Sequence, residues 1–119
     1  MKIEQVAEDL GFPEGPIAMA DGSVVLVEIE RGLLTRVSPD GRKTTVCDVG
    51  GGPNGAAIGP DGAVWITNNG GSFEFIKQGG LNIPGPTPES HMGGYIQRVD
   101  LATGKVETVY EHCDGRPLF

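Results

Sequence analysis

The sequence has few cysteines and no long hydrophobic run, and these two absences limit where the protein can act. Cys47 and Cys113 are its two cysteines, and they lack the spacing of a zinc site or a disulfide framework. No run approaches the roughly 18 apolar residues of a membrane helix, and Met1–Leu10 has no apolar core of a signal peptide. We therefore predict two free thiols and a cytoplasmic protein with no membrane partner.

Several signatures of catalysis and of nucleic-acid binding are also missing. The sequence has no Gly-x-Ser-x-Gly nucleophile elbow, which argues against a serine esterase. No glycine-rich phosphate loop precedes a helix, and no segment shows convincing helical periodicity. Lys and Arg number 9 against 16 Asp and Glu, for a formal net charge of −7. We expect no nucleic-acid partner, because an acidic chain repels phosphate.

Glycine is abundant, and it is distributed between short apolar runs. This pattern predicts many short strands joined by tight turns. Two pairs of segments repeat: Glu14–Val27 aligns with Asn54–Thr67 at an offset of 40 residues, and Gly32–Val37 aligns with Gly94–Val99 at an offset of 62. Each segment supplies strands of a hairpin, so each repeat has four strands. A period of about 40 to 50 residues with four strands is typical of a propeller blade.

The repeats predict an all-β fold, a partial β-propeller of about two four-stranded blades. The first blade would span 13–52 and the second 53–112, with a possible ring-closing strand within 1–12. Residues 113–119 would begin the linker to a third blade.

The second repeat contains an insertion that the first repeat lacks. The two offsets, 40 and 62, differ by 22 residues, which fall around Gly71–Gly93. Pro84, Pro86 and Pro88 lie in this segment, so it cannot be a paired central strand. Two interpretations remain open: the insertion decorates a binding face, or it is a surface loop without a role.

Two blades would leave apolar faces uncovered, because stacked repeats need further units or caps to be stable. We expect that the chain is part of a longer protein, or that three copies close one ring by self-association through these open faces. A chain that stops within a linker favours the first alternative.

The offset of 40 places Glu14 and Asn54 at equivalent positions, where the innermost strand of each blade begins. Both side chains would then face one channel, and carboxylate and amide oxygens are the ligands that Ca²⁺ prefers. The alternative is a turn role, since Asn before Gly is a common turn residue.

Four further polar residues are considered with this pair. Asn68 follows the second strand of the second repeat, and His91 lies in the insertion. Each could contact a substrate at the channel mouth. The alternatives are that Asn68 is a turn residue and that His91 is an exposed loop histidine. Glu28 and Glu30 are predicted to lie on a solvated face.

Phe12-Pro13-Glu14-Gly15-Pro16 resembles the Glu-Gly-Pro motif of the SMP-30/gluconolactonase/luciferin-regenerating (LRE) family, and Gly52–Thr67 resembles its recurrent inner hairpin. The resemblance implies a six-bladed propeller that binds one divalent metal, most often Ca²⁺, with Zn²⁺ or Mg²⁺ as alternatives. Glu14 matches the family's first metal ligand. The resemblance further implies that Asn54 contacts the substrate.

The reaction that the resemblance implies is hydrolytic opening of a sugar lactone. The remaining ligands and the general base would lie beyond Phe119, so we expect the isolated chain to be inactive. Two other interpretations remain: a non-catalytic propeller that binds a protein or peptide, and a related enzyme of the strictosidine-synthase-like or arylesterase-like kind.

Overall fold

The protein is described by a computed structural model covering residues 1–118. Within these residues every regular element is a β-strand and none is a helix, which confirms the predicted all-β class. No element in this range could therefore cross a membrane as a helix.

The first half of the chain forms one antiparallel sheet of four strands in sequence order. Asp-Gly turns join the first strand to the second and the third to the fourth, and Gly22 and Gly41 adopt φ of 82° and 86°, a conformation that glycine takes without strain. The strands are β1 (Pro13–Ala18), β2 (Val24–Glu28), β3 (Leu33–Val37) and β4 (Lys43–Asp48).

A second four-stranded antiparallel sheet follows, with the same meander but a longer connection at its centre. Its strands are β5 (Pro53–Ile58), β6 (Val64–Asn68), β9 (Tyr95–Val99) and β10 (Val106–Tyr110). These strands lie where the two repeat offsets predicted them. The inserted segment separates β6 from β9, yet Asn68 still pairs with Tyr95 at the end of the ladder.

The insertion contains a hairpin of its own, formed by β7 (Phe75–Gln78) and β8 (Leu81–Pro84). These strands pair only with each other within the described residues, which agrees with the prediction that the segment supplies no central strand. Pro84 ends β8, and the prolines that follow lie outside it.

The segment predicted as the start of a linker folds back onto the second sheet. Two short strands, β11 (His112–Cys113) and β12 (Arg116–Pro117), form a hairpin, and the Gly94 amide donates to the Leu118 carbonyl at 2.5 Å. Phe119 lies outside the described residues.

The amino-terminal segment is not a strand, in contrast to the prediction for residues 1–12. Its backbone carbonyls bond to a side chain instead, because Lys43 Nζ donates to Glu8 O at 2.7 Å and to Asp9 O at 2.9 Å. Val6 and Leu10 line a groove of about 400 Å³ against one face of the first sheet. Ring closure by this segment stays a prediction.

The two sheets share one hydrophobic core. The first sheet contributes the fully buried Val25, Val27 and Leu34, and the second contributes Val64 and Ile66. Burying one such side chain stabilises a fold by about 1.5–3 kcal/mol. This packing brings the innermost strands, β1 and β5, beside each other.

Candidate functional site

The two sheets approach each other closely at a pair of glycines near the start of β1 and β5. Gly15 has a φ of 55°, and a Cβ on it would lie 2.6 Å from the Ala56 nitrogen and 3.2 Å from the Gly55 Cα. Only a glycine fits this space. Glu14 and Asn54 precede the two glycines, so the packing brings these candidate residues onto adjoining strands.

Both strands are irregular where the candidates stand. The ladder between β1 and β2 shifts register between Glu14 and Ile17, and the ladder between β5 and β6 shifts between Pro53 and Gly55. Such bulges re-aim side chains out of the regular pleat. Glu14 and Asn54 are exposed, and neither side chain has a hydrogen-bond or ion-pair partner within residues 1–118.

Asn68 differs from this pair because it is buried, with 4% of its surface exposed. Its Oδ1 accepts hydrogen bonds from the amides of Gly52 and Gly70, each at 2.9 Å. Its Nδ2 donates to Gly50 O at 2.9 Å and to Gln97 Oε1 at 3.0 Å. An amide has two donors and two acceptor sites, all of which are used. This geometry favours support of the surrounding turns over a direct substrate contact.

The first sheet repeats this arrangement with a carboxylate at the equivalent position. Glu28 is 2% exposed, and it accepts from the Gly11 amide at 2.6 Å and from Thr35 Oγ1 at 2.5 Å. Arg31 Nη1 donates to it at 3.0 Å. Arg31 Nη2 donates to Asp9 Oδ1 at 2.7 Å, and the guanidinium lowers the pKa of that carboxyl. The prediction that Glu28 is solvated is therefore wrong, because donors from Gly11, Arg31 and Thr35 enclose its carboxylate.

Asn69 belongs to the polar turn after β6, but it was not among the site residues predicted from the sequence. Its Oδ1 accepts from the amides of Gly71 at 2.9 Å and Ser72 at 3.0 Å, which fixes the orientation of the side-chain amide. Its Nδ2 is buried and lacks a protein partner among the described residues. Asn69 lines a shallow pocket of about 230 Å³ together with Asn54, Thr67 and Asn68. The sequence offered only a polar Asn-Asn-Gly-Gly turn as a signal.

His91 is held against the same turn from the far side of the insertion. It is half-buried, and its Nε2 lies 2.7 Å from the Asn69 carbonyl. A carbonyl only accepts, so His91 donates from Nε2. The structure thus gathers Asn54, Asn68 and His91 around the end of β6, while Glu14 stands on the adjoining strand.

A family model described as SMP-30/Gluconolactonase/LRE-like region matches residues 12–118. The chain belongs to this SMP-30/gluconolactonase/LRE-like family. The match covers both four-stranded sheets and begins at Phe12, two residues before the Glu-Gly-Pro motif. The family has a propeller-type fold, in agreement with the four-stranded meanders. No protein of curated function matches the chain significantly.

The candidate residues fit part of the metal site that the SMP-30/gluconolactonase/LRE-like family implies. The Glu14 carboxylate and the Asn54 amide supply exposed oxygens without competing partners, and Ca²⁺ takes six to eight oxygen ligands. Within residues 1–118, no three His, Cys, Asp or Glu side chains come together as a metal-binding group. The two sheets therefore carry a portion of such a ligand set.

In this member of the family, the inserted hairpin docks beside the Glu-Gly-Pro motif. The rings of Phe12 and Phe75 have centroids 5.4 Å apart and planes inclined at 52°. Glu30 holds the hairpin a second time, through Lys77 Nζ at 3.5 Å and through a hydrogen bond from Asn82 Nδ2. These contacts attach the hairpin next to the segment that leads to Glu14. They favour the interpretation in which the insertion decorates a binding face over the one in which it is a surface loop without a role.

Phe12 holds a backbone conformation that a bulky residue rarely adopts. Its φ is 58°, and the left-handed region costs a residue with a Cβ about 1–2 kcal/mol. An aromatic pair contributes about 0.5–1.5 kcal/mol beyond area burial, which is close in size to that cost. The contact with Phe75 therefore offsets much of the strain at Phe12.

Proposed function

We propose that the protein is a metal-dependent hydrolase that opens a sugar lactone. In this proposal the two sheets are two blades of a six-bladed propeller, and Glu14 binds a divalent cation, most often Ca²⁺, in its channel. Family membership supports the hydrolase class. The observation that carries the proposal is the pair of exposed oxygens of Glu14 and Asn54, which lie on the adjoining strands β1 and β5 and have no partner within residues 1–118.

The remaining ligands and the general base would come from equivalent strand positions in further blades. Those blades belong either to the same polypeptide or to associated copies of the chain. Both sources would place additional oxygens around the axis that Glu14 faces, and Ca²⁺ needs more oxygens than this one carboxylate supplies.

Each residue of the site has a distinct role in this mechanism. Glu14 would hold the cation, which supplies Lewis acidity toward the lactone carbonyl. Asn54 would orient a substrate oxygen in the adjoining pocket, which Asn69 also lines. Asn68 and His91 would keep the turn after β6 in place through their hydrogen bonds.

The test is Glu14→Gln in the full-length protein, since glutamine keeps the shape of the side chain and removes its charge. Ca²⁺ binding is measured by calorimetry, and hydrolysis of D-glucono-1,5-lactone is measured with EDTA and after Ca²⁺ is restored. We expect EDTA to abolish hydrolysis, Ca²⁺ to restore it, and Glu14→Gln to weaken Ca²⁺ binding at least about tenfold.

Glu4→Gln is the matched control, because Glu4 is exposed and pairs only with Lys2, at 2.5 Å, in the part of the chain that is described. It should leave both readouts unchanged. Wild-type protein that binds no Ca²⁺, or a Glu14→Gln variant that binds it normally, would contradict the proposal and favour a non-catalytic binding scaffold.

A further inference from the structure

We propose that Phe75, in the inserted hairpin, is a positioning residue for Glu14 and acts through Phe12. The inference rests on the proposed role of Glu14 as a metal ligand. It assigns the insertion a part in the site, since β7 comes from the second half of the chain and Glu14 from the first.

The route from Phe75 to Glu14 is short. The Phe75 ring contacts the Phe12 ring, with centroids 5.4 Å apart, and Glu14 stands two residues after Phe12. The Phe12 backbone is tied on both sides, because its amide donates to Leu10 O and its carbonyl accepts from the Ile29 amide, each at 3.1 Å.

Pro13 makes the link between Phe12 and Glu14 stiff. Its ring fixes φ near −65°, so it cannot absorb a rotation that begins at the preceding residue. Phe12 is itself restricted by standing before a proline, and it has a φ of 58°. A relaxation of Phe12 toward negative φ would therefore redirect Pro13 and shift the Glu14 carboxylate.

The hairpin has a second attachment that does not involve Phe12. Lys77 Nζ lies 3.5 Å from Glu30, and Asn82 donates to the same carboxylate. These two contacts with Glu30 allow two roles of Phe75 to be separated. If Phe75 merely anchors the hairpin, loss of Lys77 should resemble loss of Phe75; if it acts through Phe12, only Phe75 should matter for Glu14.

The experiment measures Ca²⁺ affinity by calorimetry, together with thermal stability, on full-length variants. We expect Phe75→Ala to weaken Ca²⁺ binding about three- to tenfold, the equivalent of the aromatic contact it removes. Phe75→Tyr keeps the ring, so its Ca²⁺ affinity should stay within about twofold of the wild-type value. Lys77→Ala should leave the Ca²⁺ affinity unchanged.

Phe12→Gly extends the test, because glycine adopts φ of 58° without strain and carries no ring. With the contact already lost, adding Phe75→Ala to Phe12→Gly should weaken Ca²⁺ binding no further. Should Phe75→Ala fail to fold, Phe75→Leu takes its place in the same comparison.

Unchanged affinity in Phe75→Ala, or equal losses in Phe75→Ala and Lys77→Ala, would overturn the inference while the proposed function stands. The proposed function fails on different results: a wild-type protein that does not bind Ca²⁺, or a Glu14→Gln variant that binds Ca²⁺ as well as the wild type does.

Discussion

Replacing Glu28 by glutamine should destabilise the protein strongly, although the change removes only a charge and one acceptor. The carboxylate is 2% exposed and accepts from Gly11 N at 2.6 Å, Thr35 Oγ1 at 2.5 Å and Arg31 Nη1 at 3.0 Å. In glutamine, one of these oxygens becomes an amino group that cannot accept. At least one donor is therefore left unpaired in a buried place.

The magnitude follows from the bonds that are lost. A hydrogen bond to a charged group contributes about 1.5–3 kcal/mol, and an unsatisfied buried donor costs about 1–3 kcal/mol. We expect the free energy of unfolding to fall by about 3 kcal/mol in Glu28→Gln, and by at least as much in Glu28→Ala, which leaves both the Gly11 amide and Thr35 Oγ1 without their acceptor.

Urea unfolding followed by intrinsic fluorescence of the full-length variants would measure the loss. Glu30→Gln is the matched control, because that side chain is 27% exposed and lies two residues away. It should cost less than about 1 kcal/mol, the range of exposed ion pairs. A loss below about 1 kcal/mol in Glu28→Gln would refute the view that this carboxylate organises the first sheet.

Two further predictions concern acid stability and the contact between the sheets. Arg98 lowers the pKa of Asp61 below its usual 3.8, so this carboxyl stabilises the fold above about pH 4 and the contribution is lost as pH falls through the folded pKa. Urea midpoints measured from pH 7 to pH 2 should fall on acidification, and Asp61→Asn should flatten that fall; an unchanged slope would argue against the pair. Gly15 has a φ of 55°, and a Cβ added to it would lie 2.6 Å from a backbone nitrogen. Gly62 has a φ of 79°, but a Cβ added to it would have no atom within 4 Å. Gly15→Ala should therefore lower the free energy of unfolding by more than the about 1–2 kcal/mol expected for Gly62→Ala, and equal losses in urea unfolding would contradict the close approach of β1 and β5.

The local features of the fold could be predicted from the sequence because they depend on neighbouring residues. Strand boundaries follow from short apolar runs, and Asp-Gly turns mark the hairpins. The offset of 40 residues also placed Glu14 and Asn54 on equivalent strands, because a repeat puts matching residues at matching positions. The Glu-Gly-Pro motif indicated the family.

The tertiary structure alone decided which polar side chains are available at the site. Asn68 was a candidate for substrate binding, but Gln97, the turn before β5 and the Gly70 amide together use its whole hydrogen-bonding capacity. Asn69, one residue later, keeps a buried donor beside Asn54 without a partner among the described residues. Adjacent residues of the same type thus differ only in what lies across from them, and sequence patterns carry no record of such partners.

The same limit applies to Glu28 and to the insertion. Alternation along β2 could not show that Gly11 and Thr35 would enclose the Glu28 carboxylate. The prolines of the insertion excluded a central strand, yet only the packed structure brings Phe75 against Phe12. The sequence by itself determined the eight strands of the two four-stranded sheets, their repeat and the family, since these depend on local pattern. Burial, hydrogen-bond saturation and the docking of the hairpin were decided by contacts between residues far apart in the chain.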